Sequence, residues 1–89
     1  MEHYVICRDY VTSQYTSQGN IDIFNGTDVI AVAHSPEEAE RIFAEKVAEA
    51  KQEIAGDDWT TFVDTPREFS VGKDVLGKSV RANWFVREI

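Results

Sequence analysis

Apolar residues recur at three- and four-residue spacing between positions 34 and 56, which is the clearest pattern in the chain. They are Ala39, Phe43, Val47, Ala50 and Ile54. At about 100° per residue this spacing places them on one stripe of a helix. We expect Ser35 to cap the helix, Pro36 to fill its first position and Gly56 to end it. The pattern therefore predicts one amphipathic helix with a stripe facing the core.

Alternating apolar and polar residues predict strands on both sides of this helix. The predicted strands span residues 3–11, 21–24, 29–33, 59–63, 69–71 and 79–87. The second and third form a predicted hairpin around Asn25-Gly26, because both residues accept the positive φ of a two-residue turn. The polar stretch 12–19 is typical of a mobile loop or a strand extension, with Tyr15 exposed.

The assembled order is β-β-β-α-β-β(-β), which predicts a single α+β domain over residues 1–89. One helix is expected to pack on an antiparallel sheet of about four to six strands. Eighty-nine residues suffice for a modest core of this kind and not for a second domain. The last strand places Trp84 toward the helix and Phe85 between Arg81 and Arg87 on the other face. Either arginine is a candidate partner for the acids of the helix.

The charge of the chain is strongly negative and unevenly distributed. The net charge is −7, and residues 1–65 carry four basic residues against thirteen acidic ones, a net charge of −9. Residues 66–89 carry five basic residues against three acidic ones, a net charge of +2. Direct binding to nucleic acid depends largely on Lys and Arg at the phosphates, so this balance argues against it. It favours a protein partner with a basic surface, or solubility alone.

One flank of the predicted helix carries most of these acids. Helix geometry brings together Glu38, Ile42, Glu45, Glu49 and Glu53, which we call the acidic flank. Its last three acids are like-charged i,i+4 neighbours, and each such pair costs a few tenths of a kcal/mol, roughly, in an isolated helix. One interpretation is a solvated acidic face. The other is a contact surface that presents carboxylates around Ile42 to a basic partner.

Residues with the chemistry for catalysis or metal binding form no recognised motif. Those considered are His3, Cys7, Asp9, His34, Asp57, Asp58 and Asp64. His3 and Cys7 share strand parity, but they lie roughly 13 Å apart at about 3.3 Å per residue, too far for a base and its nucleophile. His34 precedes a helix N-terminus, where a neutral imidazole is a conceivable base. The three aspartates lack the spacing of a calcium loop. We therefore expect no catalytic residue, no metal and no cofactor.

The start of the chain shows a strand-like pattern rather than a charged and then apolar signal segment. No apolar run is long enough to span a membrane. Cys7 is the only cysteine, so no disulfide can form within one chain. We therefore expect a cytoplasmic protein without a membrane partner.

The organisation of the chain resembles that of small phage-encoded inhibitors of host defence, including anti-CRISPR proteins. The features that carry the resemblance are one short acidic domain, the absence of a catalytic motif, terminal strands, and a strand leading into the Ser-Pro-Glu-Glu-Ala helix start at 35–39. The resemblance covers the whole chain and transfers no functional position. It implies action by occupancy, in which an acidic face competes for a basic groove that holds nucleic acid or blocks a protein interface.

These observations favour a non-enzymatic protein-binding module with the acidic flank as its contact surface. The first alternative is a small-ligand or catalytic domain that uses the sheet face opposite the helix, with His34 or Asp64 at a site across a dimer interface. The second is a structural subunit of a larger assembly. A homodimer is compatible with each of the three.

Overall fold

The computed structural model describes residues 3–89 as a five-stranded sheet with a helix on one face. The elements in chain order are β1 (Tyr4–Tyr15), β2 (Ile21–Ala33), α1 (Pro36–Glu53), β3 (Thr60–Asp64), β4 (Glu68–Val75) and β5 (Lys78–Glu88). The spatial order of the strands is β2-β1-β5-β4-β3, and all neighbours are antiparallel. The α+β class is confirmed. The predicted order is wrong in detail, because two strands precede the helix and three follow it.

The predicted hairpin around Asn25-Gly26 is the source of that error. Both residues lie within β2, which pairs with β1 along its whole length. The chain turns instead at residues 16–20, where Gly19 has a φ of 82°. Thr16 holds this turn, because its N–H donates to the Asn20 carbonyl at 2.8 Å and its hydroxyl accepts from the Asn20 N–H at 3.1 Å. The turn thus has its own polar partners, which leaves Asn25 and Gly26 free to extend the ladder.

Strand structure extends into two segments around the predicted strands. Residues 12–15 are the end of β1 and pair with residues 21–24 of β2, so the strand-extension interpretation of this stretch is confirmed. Tyr15 is exposed, as expected. Residues 72–75 complete β4 and pair with 78–81 of β5, so β4 extends four residues beyond the predicted strand 69–71.

The predicted helix and its buried stripe are confirmed. The Glu38 N–H donates to the Ser35 hydroxyl at 3.1 Å, and Pro36 is the first helical residue. Gly56, after the end of α1, has a φ of 87°. The stripe packs on the sheet to form one core, whose buried members include Ile6, Ala39, Phe43, Val47, Ala50, Phe69, Val71 and Trp84. Among the residues described, no helix is long and apolar enough to cross a membrane.

The other face of the sheet carries no helix within residues 3–89 and bears several charged side chains. Phe62 lies over Gly72 on this face, and the Arg81 guanidinium carbon lies 4.9 Å from the centroid of the Phe62 ring. Arg81 therefore does not pair with the acids of α1. Arg67 forms an ion pair with an acid of α1 instead, since its Nε lies 4.0 Å from Oε1 of Glu40.

Candidate functional site

The acidic flank lies on the side of α1 that faces β2. Glu49 and Glu53 line a small cavity of about 140 Å³ together with Ile30 of β2 and Arg8 of β1. The Glu45 and Glu49 side chains are 60% and 65% exposed, so their carboxylates are open to a partner. Ile42 is half-buried and packs against the core. The residues selected from the sequence thus share one flank of α1, on which Glu45, Glu49 and Glu53 are exposed and Glu38, like Ile42, is half-buried.

Two cations border this surface. Nη1 of Arg41 lies 3.2 Å from Oε1 of Glu45, and Nζ of Lys46 lies 3.7 Å from Oε2 of Glu49. Exposed pairs of this kind contribute about 0–1 kcal/mol each, and they leave the carboxylates in contact with water. The acidic flank, as defined from the sequence, does not include these two neighbouring cations. The flank therefore keeps an excess of negative charge, but a smaller one than its acids alone suggest.

A third cation lies beneath the flank. Arg8 is on the face of β1 that packs on α1, and its guanidinium carbon lies 4.5 Å from the centroid of the Tyr10 ring. Its Nε is buried and has no hydrogen-bond partner among the described residues. The signal for this residue was in the sequence, since Arg8 shares strand parity with the core residues Tyr4 and Ile6. A charged side chain on an apolar strand face is uncommon, so the sequence alone distinguishes Arg8 from the other residues of β1.

The acids of the flank differ in how well the helix accommodates them. Glu38 is in the first turn of α1, where the positive end of the helix dipole stabilises a carboxylate. Glu53 is the last residue of α1, where the negative end of the dipole disfavours one. Glu53 also extends the like-charged series of Glu45 and Glu49. The negative charge of the flank is therefore concentrated in the C-terminal half of α1, where it does not stabilise the isolated helix.

The structure places two histidines together that the sequence did not connect. Nδ1 of His3 and Nδ1 of His34 lie 3.2 Å apart, and their rings meet edge to face with centroids 5.3 Å apart. The register of β1 and β2 explains this contact, because Tyr4 pairs with Ala33 and so brings their neighbours together. The two residues are 31 positions apart in the chain. The predicted hairpin at Asn25-Gly26 paired residues 21–24 with 29–33 and not with β1, so it gave no reason to expect this contact.

Cys7 is a poor candidate for a nucleophile. It is buried, and burial raises the pKa of its thiol, as does the nearby Asp9 carboxylate, whereas Arg87 lowers it. The thiolate is the reactive form, so a raised pKa keeps the group in its unreactive state near neutral pH. Asp9 is engaged elsewhere, since its Oδ1 accepts a hydrogen bond of 2.5 Å from the Thr27 hydroxyl.

The aspartates considered for a cation site are dispersed. Nζ of Lys51 lies 3.1 Å from Oδ2 of Asp64, and Nζ of Lys73 lies 3.5 Å from Oδ2 of Asp57. The Trp59 indole N–H also donates to Asp57 at 3.3 Å. Within residues 3–89, no three or more His, Cys, Asp or Glu side chains come together in a group able to hold a metal ion.

An open groove of about 450 Å³ runs along the opposite flank of α1. It is lined by Phe43, Ala44, Val47, Ala48, Thr65 and Pro66, with Glu40, Lys51 and Asp64 also at its surface. Asp64, one of the two residues named for the small-ligand alternative, therefore lies at an apolar concavity. His34, the other, is not among the lining residues and contacts His3 instead.

Comparison of the chain with models of known protein families, with curated proteins and with solved structures gives no significant match.

Proposed function

We propose that the protein is a non-enzymatic binding domain that attaches to a basic surface of another protein through the acidic flank of α1. The partner would be a host-defence or nucleic-acid-handling protein, whose basic groove the domain occupies in place of a nucleic acid. This is the mode of action that the resemblance to phage-encoded inhibitors implies. In this proposal the carboxylates supply attraction and orientation, and Ile42 supplies an apolar contact at their centre.

The observation that supports the proposal is the placement of Glu45, Glu49 and Glu53. All three are exposed, they follow one another at four-residue spacing, and the last is at the unfavourable end of the helix dipole. This arrangement opposes the stability of the free domain. A basic partner would relieve the repulsion among these carboxylates, so the same residues would favour the complex.

The first test is affinity capture from a lysate of the protein's own cell or its host, with the wild type and with a Glu45→Lys, Glu49→Lys variant as bait. Calorimetry on the captured protein follows after its purification. We expect the wild type to bind one partner in a fixed ratio and the variant to lose it. Binding between opposite charges is screened by salt, so the dissociation constant of the wild type should rise steeply as ionic strength increases.

The matched control is a Glu40→Lys, Asp58→Lys variant. It makes the same change in net charge with two exposed residues outside the acidic flank. We expect this variant to bind as the wild type does. Equal loss of binding by both variants would show that only the total charge matters, and undiminished binding by the Glu45→Lys, Glu49→Lys variant would remove the acidic flank from the contact. Failure of the wild type to capture any protein would count against a binding function.

A further inference from the structure

The two edges of the sheet differ in how far they are protected from pairing with another strand. β3 forms one edge with only five residues, has a register shift between Thr61 and Val63, and is followed by Pro66. β2 forms the other edge with thirteen residues. It contains no Lys, Arg or Pro, and its only register shift involves Ile30. An edge strand presents a row of unpaired N–H and C=O groups, and short length, charge, Pro and bulges are the usual protections. β2 is therefore the less protected edge.

Large apolar side chains follow this open edge on both faces of the sheet. The five with at least half of their surface exposed are Ile21, Ile23, Phe24, Val29 and Val32. Single exposed apolar residues are normal on a protein surface, but several along one unpaired edge, here in two groups on either side of residues 25–28, indicate an interaction site. Backbone groups along the edge can be satisfied only by another extended segment or by water. The combination predicts that a strand, rather than a helix or a small molecule, pairs with β2.

We propose that β2 pairs with β2 of a second copy of this chain, antiparallel about a two-fold axis at Thr27, to form a continuous ten-stranded sheet. Thr27 is the midpoint of Ile21–Ala33, so pairing there engages the whole strand. The only charged residues of the strand are Asp22 and Asp28. Asp28 then faces Gly26 of the other copy, and Asp22 faces Ala33 once the register shift of β2 at Ile30 is counted. No two carboxylates oppose each other, which removes the cost of like charges in cross-strand pairs.

The apolar residues match in the same register. In the pairing with β1, Ile6 is opposite Ala31 and Cys7 is opposite Val29, so Ile30 is the extra residue of a bulge. With this bulge retained, Ile30 and Ala31 of the second copy together oppose Phe24 on the helix side. Ile23 faces Val32 on the other side. Apolar cross-strand pairs of this kind stabilise a sheet, and the two-fold axis generates each of them twice.

The helices do not obstruct this assembly. α1 packs against Ile30, Ala31 and Ala33, which lie at the C-terminal end of β2. Antiparallel pairing places that end beside the Ile21–Phe24 end of the second copy, where no helix lies. The two helices and their acidic flanks are thus kept at opposite ends of the paired β2 strands. Because each copy is negatively charged, salt should strengthen this dimer, whereas it should weaken the complex proposed above.

The first experiment measures molar mass by light scattering across protein concentrations for the wild type and two variants. We expect the wild type to approach twice the monomer mass of 10.1 kDa as its concentration rises. Ile23→Lys should keep it monomeric, because the charge lies in the proposed interface. Val11→Lys is the matched control, since Val11 is 39% exposed on the same face but belongs to the inner strand β1. Far-UV circular dichroism checks that both variants fold.

The second experiment tests the register by mild oxidation of single-cysteine additions. Residues at a two-fold axis lie directly opposite their copies, at about 4.5–5.5 Å between Cβ atoms, which is near disulfide distance. Thr27→Cys should form a cross-linked dimer. Asn25→Cys should not, because its copy is four positions away, roughly 13 Å at about 3.3 Å per residue. The wild type, with its buried Cys7, controls for the native thiol.

A wild type that stays monomeric at all concentrations would overturn the proposal. So would a dimer that Val11→Lys dissociates and Ile23→Lys does not, because that result indicates packing of the uncovered faces. Equal cross-linking at positions 25 and 27 would overturn the two-fold axis at Thr27. None of these results depends on capture of a basic partner, so the dimer and the proposed binding function fail or stand separately.

Discussion

At the scale of single residues, Cys7 provides a direct test of the packing between β1 and its neighbours. It is 4% exposed, and burial raises the pKa of its thiol. We expect it to react with a thiol reagent at least about a hundredfold more slowly in the native protein than after denaturation, which corresponds to about 3 kcal/mol of local opening. Reagent absorbance gives both rates. A Ser17→Cys, Cys7→Ala variant places the thiol in the exposed turn and should react rapidly. A native Cys7 that reacts as rapidly as this variant would contradict its burial.

The residues of the candidate site were only partly predictable from the sequence. Helical periodicity places the acids of the flank correctly, because 100° per residue is a local property of the chain. It does not reveal that Arg8 lines the same cavity as Glu49 and Glu53, since that placement depends on which strand the helix covers. The His3–His34 contact was missed for the same reason. Pairing of β1 with β2 sets it, and no local pattern encodes that register.

At the scale of elements, the turn between β1 and β2 shows where local turn chemistry misleads. Asn-Gly is a strong hairpin signal when alternating strands flank it, yet here it lies inside a strand. The competing turn at 16–20 has Gly19 at positive φ and the Thr16 hydroxyl as acceptor, and it allows twelve cross-strand pairs between β1 and β2. A turn at Asn25-Gly26 would leave β1 without this partner. The longer ladder therefore outweighs the better turn sequence.

Two glycine substitutions distinguish these alternatives. Gly19 has a φ of 82°, so Gly19→Ala forces a residue with a Cβ into the left-handed region and should destabilise the protein by about 1 kcal/mol. Gly26 has no positive φ and nothing within 4 Å of an added Cβ, so Gly26→Ala should leave stability unchanged or raise it slightly. Urea denaturation measures both. The reverse result, with Gly26→Ala the more damaging, would restore the hairpin predicted from the sequence.

At the scale of the whole molecule, the charge imbalance links stability to ionic strength. The chain has sixteen acidic residues against nine basic ones. The ion pairs recorded for the described residues are partly or largely exposed, so each contributes about 0–1 kcal/mol and salt weakens it. Repulsion among the surplus carboxylates acts over longer distances than these contacts, along a molecule 51 Å in length. The longer-range term is the more sensitive to screening, because the Debye length falls from about 30 Å at 0.01 M to about 8 Å at 0.15 M salt.

We therefore expect the melting temperature to rise between those two salt concentrations. A gain of about 1 kcal/mol corresponds to about 4–8 °C for a domain of this size. Calorimetry is done at a protein concentration at which light scattering shows a monomer in both salts, which excludes a contribution from the dimer. Sodium chloride supplies the ionic strength. A Glu45→Gln, Glu49→Gln variant removes two negative charges from the acidic flank and should show a smaller rise. A melting temperature that falls with salt would mean that the exposed ion pairs outweigh the repulsion. In that case the acids of α1 would stabilise the free domain, and the physical support for a binding role of the flank would be lost.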